Sequence, residues 1–282
     1  MRKVSLILVF IYISVSATVF AQGLKMPAAS TTQTISQDFA LSQIKISYSR
    51  PNVKGRTIFG DLVPYGQVWR TGANSPTKIT FGEDVSFEGK PVPAGEYALY
   101  SIPGQTEWTI ILSKNTKLWG AMGYQEADDL LRVKVKPLTL SQKLETFTVD
   151  FANVTANTCD LQLSWDKTLI SVKISADVDT KIMSAIDAAM QTANKPYYQA
   201  ASYYFDNGKD LKKALIWIEE ATKANPKAYY MEHLKAKILL KSGMKAEAIA
   251  SANRSMQVAE AEKNQDYVIL NQKLIAEANK SK

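Results

Sequence analysis

The stretch of this chain best equipped for chemistry runs from Tyr48 to Asn74. Arg50, Lys54, Arg56 and Arg70 place four cations within about twenty positions, interleaved with Tyr48, Tyr65 and Trp69. A guanidinium holds carboxylate or phosphate through a fork of charge-assisted hydrogen bonds. Aromatic faces pack against sugar rings or cations. Thr71 and Asn74 would add neutral donors. A loop gathering these groups could hold an acidic glycan, a peptide terminus or another anion. Arg50, Lys54, Arg56, Tyr65, Trp69, Arg70 and Asn74 are therefore the candidate ligand-binding set. A structural role accounts for the same residues at least as well. Arginine and proline in a long β connection tie it to its own carbonyls and to Asp61, and Phe59, Tyr65 and Trp69 would plug the open end of a β-sandwich.

Other chemistry is thinly represented. His233 is the only histidine and stands in a helical repeat, without the cysteines or carboxylates of a zinc site or a triad. Cys159 is the only cysteine, so no internal disulfide forms. Cys159, Leu161, Leu163 and Trp165 alternate with Asp160, Gln162 and Ser164, which puts the thiol on the apolar face of a strand as a core group. Asp61, Glu83, Glu96, Asp128 and Asp129 could include a glycosidase-like acid/base pair, but spacing along the chain does not fix a separation in space. No catalytic residue, metal ligand or cofactor is assigned. In Leu118-Trp119-Gly120-Ala121-Met122-Gly123-Tyr124, the glycines read as tight turns that bury Trp119. The alternative is a mobile rim over a cleft.

The elements that must position these groups fall into two halves. From about Thr32 to Ala176 the period is two. Ile44, Ile46 and Tyr48 alternate with Lys45 and Ser47, and Phe147, Val149 and Phe151 alternate with Thr148 and Asp150. Tyr97 to Ile102 and Trp108 to Leu112 are apolar on both sides and predict central strands. About ten short strands with Gly/Pro turns argue an all-β sandwich, jelly-roll-like, over residues 22–176.

Residues 177–282 carry the helical period. Ile182, Ile186, Ala189 and Met190 mark a first helix expected to end near Lys195-Pro196. Ala214 and Ala248 then lie 34 residues apart, the spacing of a tetratricopeptide (TPR) unit, with turns at Asn207-Gly208 and Ser242-Gly243. A last amphipathic segment from Asp266 to Ala278 would cap the stack. These TPR-like hairpins number fewer than the three repeats a free-standing array needs, so they are expected to dock on the β domain.

Residues 1–21 have the layout of a secretory signal: Arg2 and Lys3, an apolar run, then Val19-Phe20-Ala21 before cleavage. The run is shorter than the ~20 residues that span a bilayer. No cysteine stands near the site for lipid attachment, and no later segment is long and apolar enough to cross. The expected location is periplasmic or secreted. Loss of Arg2 and Lys3 lowers the formal charge of +7 to +5, too diffuse for nucleic acid.

Residues 48 to 74, read whole, are dense in Gly, Pro, Arg and aromatics, from Tyr48-Ser49-Arg50-Pro51 through Ile58-Phe59-Gly60-Asp61 to Trp69-Arg70-Thr71-Gly72. This segment resembles the exported bacterial family known as domain of unknown function 2911. Gly89-Lys90-Pro91-Val92-Pro93-Ala94-Gly95-Glu96-Tyr97, the strand around Trp108 and the tail from Asn207-Gly208 resemble it too. The resemblance implies a family and carries across no catalytic residue. The leading expectation is thus a non-enzymatic cell-envelope module, with an anionic or glycan ligand on the β domain and a protein or peptide partner on the hairpins. The alternative is a carboxylate-dependent hydrolase of glycans or peptidoglycan-like material.

Overall fold

The structure is a computed structural model that describes residues 26–280. The expected signal segment and its cleavage near Ala21 lie outside the described residues. The described chain divides into two compact units, with the break between Ala176 and Asp177.

The first unit holds ten strands: β1 (Thr31–Phe39), β2 (Ser42–Arg50), β3 (Thr77–Phe81), β4 (Val85–Phe87), β5 (Lys90–Val92), β6 (Gly95–Ile102), β7 (Trp108–Ser113), β8 (Asp129–Val135), β9 (Leu138–Ala152) and β10 (Thr158–Ser175). They form two antiparallel sheets, β1-β2-β3-β6-β7-β8 and β5-β4-β10-β9. The alternation read from β2 holds: Ile44, Ile46 and Tyr48 are buried while Gln43 and Lys45 face solvent. Ile46 pairs directly with Ile79 of β3. β6 and β7 are interior strands of the larger sheet, and Tyr97 to Ser101 are buried on both faces, as their two-sided apolar pattern requires.

Side chains of the two sheets meet. Phe81 of β3 meets Phe87 of β4 with ring centres 6.4 Å apart. The Tyr48 hydroxyl accepts the Val149 N–H of β9 at 3.0 Å and donates to Gln33 Oε1 at 2.8 Å. Cys159 lies inside, 1 % exposed, and burial pushes its thiol up to about 11. It is therefore a core group and not a ready nucleophile.

One expectation fails here. Trp119 is not buried but 67 % exposed. The segment around it covers the outer face of β6 and β7 with Leu118, Ala121 and Tyr124, which pack on Ala98, Tyr100 and Ile111. Gly120 and Gly123, both at positive φ, turn the chain so that Trp119 and Met122 point away from that face.

The second unit is helical: α1 (Asp179–Ala189), α2 (Tyr197–Asp206), α3 (Leu211–Ala224), α4 (Tyr229–Lys241), α5 (Lys245–Ala261) and α6 (Gln265–Lys280). α1 stops six residues short of the expected Lys195. The polar run after Met190 offers no apolar face, and the Thr192 hydroxyl takes the Ala189 carbonyl at 2.7 Å. α2 and α3 form one antiparallel hairpin around Gly208, and α4 and α5 a second around Gly243, both glycines at positive φ. Asp210 caps α3 by accepting the Lys212 N–H at 2.8 Å. Ala200, Ala201 and Ala214 are fully buried against Tyr204, Trp217 and Ile218, small side chains where paired helices approach closely. No described helix is long and apolar enough to cross a membrane.

Candidate functional site

Residues 51–76 join β2 to β3 without regular structure, so the backbone of this connection must be satisfied by other means. It is. Val53 N–H donates to Glu145 O and Lys54 N–H to the Glu145 carboxylate, each at 2.7 Å. Trp69 and Ser101 exchange N–H and carbonyl at 2.7 and 2.9 Å, which adds a one-residue rung beside β6. The buried Thr71 hydroxyl meets Ser101 Oγ at 2.9 Å, and Thr77 Oγ1 donates to Thr71 O. Gly72, at φ +143°, lets the chain pass beside Ser49 O; a Cβ there would stand 3.0 Å from that oxygen.

Two aromatic residues of the connection, both half-buried, pack against core rings. Trp69 stacks on Trp165 of β10 at 5.9 Å and 15°, and Phe59 packs edge-on against Trp108 at 4.8 Å. Phe59 and Trp69 thus take the plugging role. Tyr65 does not: it is 40 % exposed, with its ring over Gly60.

Between this connection and the end of the sheets lies a cavity of about 480 Å³. Five of the seven candidate residues line it: Lys54, Arg56, Trp69, Arg70 and Asn74. Arg50 and Tyr65 do not. Arg50 turns to β9, where Nε donates to Phe147 O at 3.1 Å and Nη2 to Thr148 Oγ1 at 2.9 Å. Arg56 is half committed, with Nε and Nη2 on the carbonyls of Val53 and Asn52 at 3.0 and 2.6 Å, which leaves its Nη1 donors. Arg70 differs from both. Its Nε is buried and meets no acceptor in the protein. Such a donor costs about 1–3 kcal/mol unless something accepts from it. The rest of the Arg70 side chain lies against Gly120, where a Cβ would come 3.2 Å from Nη1.

Sequence reading missed Asn52 and Gln67, polar groups of the same connection, and Trp165, which forms one wall from β10. Period-two alternation marks Trp165 as core but not as wall. Gly120 is legible as a turn, but its closeness to Arg70 has no sequence signal.

The segment that backs Arg70 is itself pinned by a polar network. Asp129 Oδ2 accepts from the Tyr124 hydroxyl at 2.5 Å and from Arg132 Nε at 2.7 Å, while Arg132 Nη2 reaches the Tyr124 oxygen at 2.8 Å. Tyr100 donates to Gly120 O at 3.3 Å. Burial, then the bond to Asp129, pushes the Tyr124 phenol up to about 12; burial, then Asp128 and Asp129, does the same for Tyr100. In the unfolded chain both phenols ionise near 10.0. Their contribution to stability is therefore complete below that pH and is lost as pH rises toward about 12. Denaturation followed by CD should show stability falling across this alkaline window. Phenolate absorbance from these two residues should emerge with unfolding and not before it.

None of the five carboxylates considered for acid/base work lines the cavity. Glu96 pairs with Lys78 at 3.0 Å, Glu83 accepts the Leu41 N–H at 2.7 Å, and Asp128 accepts from Asn115 at 3.0 Å. Among the described residues no three His, Cys, Asp or Glu side chains converge as a metal-ligand set.

The pattern of the family described as "Protein of unknown function (DUF2911)" matches residues 30–174, just over half of the chain. The chain belongs to that family. The matched DUF2911 region takes in all ten strands to within one residue of their end, and with them the whole 51–76 connection and its cavity. The helices from Asp179 lie beyond it. No curated protein and no solved structure matches the chain.

Proposed function

We propose that this DUF2911 protein is an exported, non-enzymatic binding module. Its β unit, read as a sandwich closed by the aromatic plug, binds a small anionic ligand. Its helices, read as TPR-like hairpins, present a surface to a protein or peptide partner. The observation that carries the ligand reading is the composition of the cavity: Lys54, Arg56 and Arg70 line it and no Asp or Glu does. A volume of about 480 Å³ suits a ligand of sugar or nucleotide-fragment size. Trp69 and Trp165 on its walls favour an anion carried on a ring, such as an acidic saccharide. The sandwich reading rests on the shared contacts of Phe81, Phe87, Tyr48 and Val149. The TPR-like reading rests on the 34-residue spacing of two fully buried alanines, Ala214 and Ala248. With no carboxylate on the cavity, the hydrolase alternative has no observation in its favour.

The test is a thermal-shift and calorimetry series with galacturonate, glucuronate, inorganic phosphate and neutral sugars. An acidic saccharide should raise Tm, by about 2.7 kcal/mol of stabilisation at a hundredfold excess over Kd. Arg70→Ala should abolish that rise while the variant still folds. Equal binding of the neutral sugar, or no response to any anion, would overturn the reading.

A further inference from the structure

The helical unit carries a second cavity, of about 470 Å³, lined by residues of α2, α4, α5 and α6. Its floor is apolar, formed by Phe205, Leu240, Leu270 and Leu274. Its rim is basic: Lys237 and Lys241 from α4, Lys245 from α5 and Lys273 from α6, against a single carboxylate, Glu277. The ammonium groups of Lys237 and Lys241 sit 4.7 and 5.0 Å from the centre of the Phe205 ring. Elsewhere on the helices lysines find carboxylates, as Lys209 does with Asp179 at 2.7 Å and Lys235 with Glu219 at 3.8 Å. Lys237, Lys241 and Lys273 have no carboxylate partner among the described residues.

We infer that this groove binds an extended acidic peptide, with carboxylates on Lys237 and Lys241 and an aliphatic side chain on the leucine floor. Like charges gathered around apolar surface repel one another, and an anion that also covers the apolar floor relieves both costs. Lys237 and Lys241 are one helical turn apart, about 6 Å along α4. An extended chain presents alternate side chains on one face about 6.7 Å apart, so glutamates two positions apart match the spacing of the two lysines along the helix. The aliphatic part of the floor favours a leucine-like side chain over a sugar, which packs best on a flat ring.

His233 supplies a further contact. The Asn271 amide spends both hydrogens on Ser255 Oγ and Tyr267 O, at 2.8 and 2.7 Å, so its oxygen is what faces His233 Nδ1 at 2.8 Å. Nδ1 therefore carries the imidazole hydrogen, and Nε2 is left as an acceptor on a residue that lines the groove. A backbone N–H of the bound segment can donate to it.

This inference rests on the reading of the helices as an interaction surface and names the class of partner. The experiment uses the full chain and a fluorescent dodecapeptide with glutamate at alternate positions and leucine next on the same face. Anisotropy should show saturable binding that weakens with salt. Lys237→Glu with Lys241→Glu should weaken it about tenfold or more, and replacing the peptide leucine by serine should weaken it as well. Arg70→Ala should leave it unchanged, which separates this groove from the β-unit cavity. CD melts establish that each variant is folded. Binding that survives the charge reversals, or that a polyanion such as dextran sulfate matches, overturns the inference. Binding of a neutral peptide in place of the acidic one overturns the charge assignment and leaves the interaction surface standing. Failure of every peptide removes both.

Discussion

Replacing Trp165 by alanine should cost the protein about 3–5 kcal/mol, the range for deleting a large buried aromatic side chain. Trp165 is 2 % exposed and touches every part of the plug: Trp69 in a stack at 5.9 Å, Phe147 at 5.9 Å and Phe59 at 6.1 Å, both edge-on. Its Nε1–H donates to Glu145 O at 3.3 Å, and that same residue anchors the 51–76 connection through Val53 and Lys54. Truncation therefore removes one wall of the cavity and frees the strand that holds the loop. Trp165→Phe keeps most of the packing and loses only the hydrogen bond and part of the ring, so it should cost roughly half as much. Urea denaturation followed by CD compares the three chains. Equal stabilities for alanine and wild type would mean the aromatic cluster is not the closure of the β unit. The phenylalanine chain should still bind anion, because the cations at the cavity are untouched.

The contrast between Trp165 and Trp119 shows how much of this molecule its sequence states. Wherever a strand buries one face, the alternation of side chains reports it, and Ile44, Ile46, Cys159 and Trp165 all lie where period two puts them. The interior strands β6 and β7 announced themselves by being apolar on both sides. The hairpin turns were legible too, because Gly208 and Gly243 serve a positive φ that few other residues adopt. Trp119 lies outside any such pattern. Its direction is decided by Gly120, which must come close to Arg70, a residue fifty positions earlier in the chain. The candidate site divides in the same way. Its composition was visible in residues 48–74, but which cations face the cavity depends on partners nearly a hundred residues away. Arg50 ends a strand and finds Phe147 O and Thr148 on β9, whereas Arg70 follows the Trp69 rung, lines the cavity and lies against Gly120. Local spacing holds no information on either choice.

The second large effect belongs to the helical unit, where Asn271→Leu should cost about 2–4 kcal/mol. Asn271 is 0 % exposed in a helix whose buried partners are otherwise apolar. Its amide joins three helices: it bonds Ser255 Oγ of α5 and His233 Nδ1 of α4, and Ser255 in turn donates to Tyr229 O of α4 at 2.7 Å. Leucine fits the space but accepts nothing, so the His233 N–H, on a half-buried ring, is left without its acceptor. That orphan, more than the lost bonds, sets the cost. Burial holds the His233 pKa below its ordinary value, against the pull of the Asn271 bond, which favours the charged ring. The stability that goes with keeping this ring out of water is therefore present above the unfolded value of 6.5 and lost as pH falls through the depressed folded value. A double-mutant cycle decides between an orphaned donor and simple loss of packing. If the orphan dominates, His233→Phe added to Asn271→Leu should recover part of the stability, because neither partner then needs the other. The acid-side loss should vanish in the same chain. If the double variant is as unstable as the sum of the single ones, the network is only filler between α4 and α6. Recovered stability without recovered peptide affinity would tie the His233 ring to the groove, because an apolar ring restores the packing and cannot accept the peptide N–H.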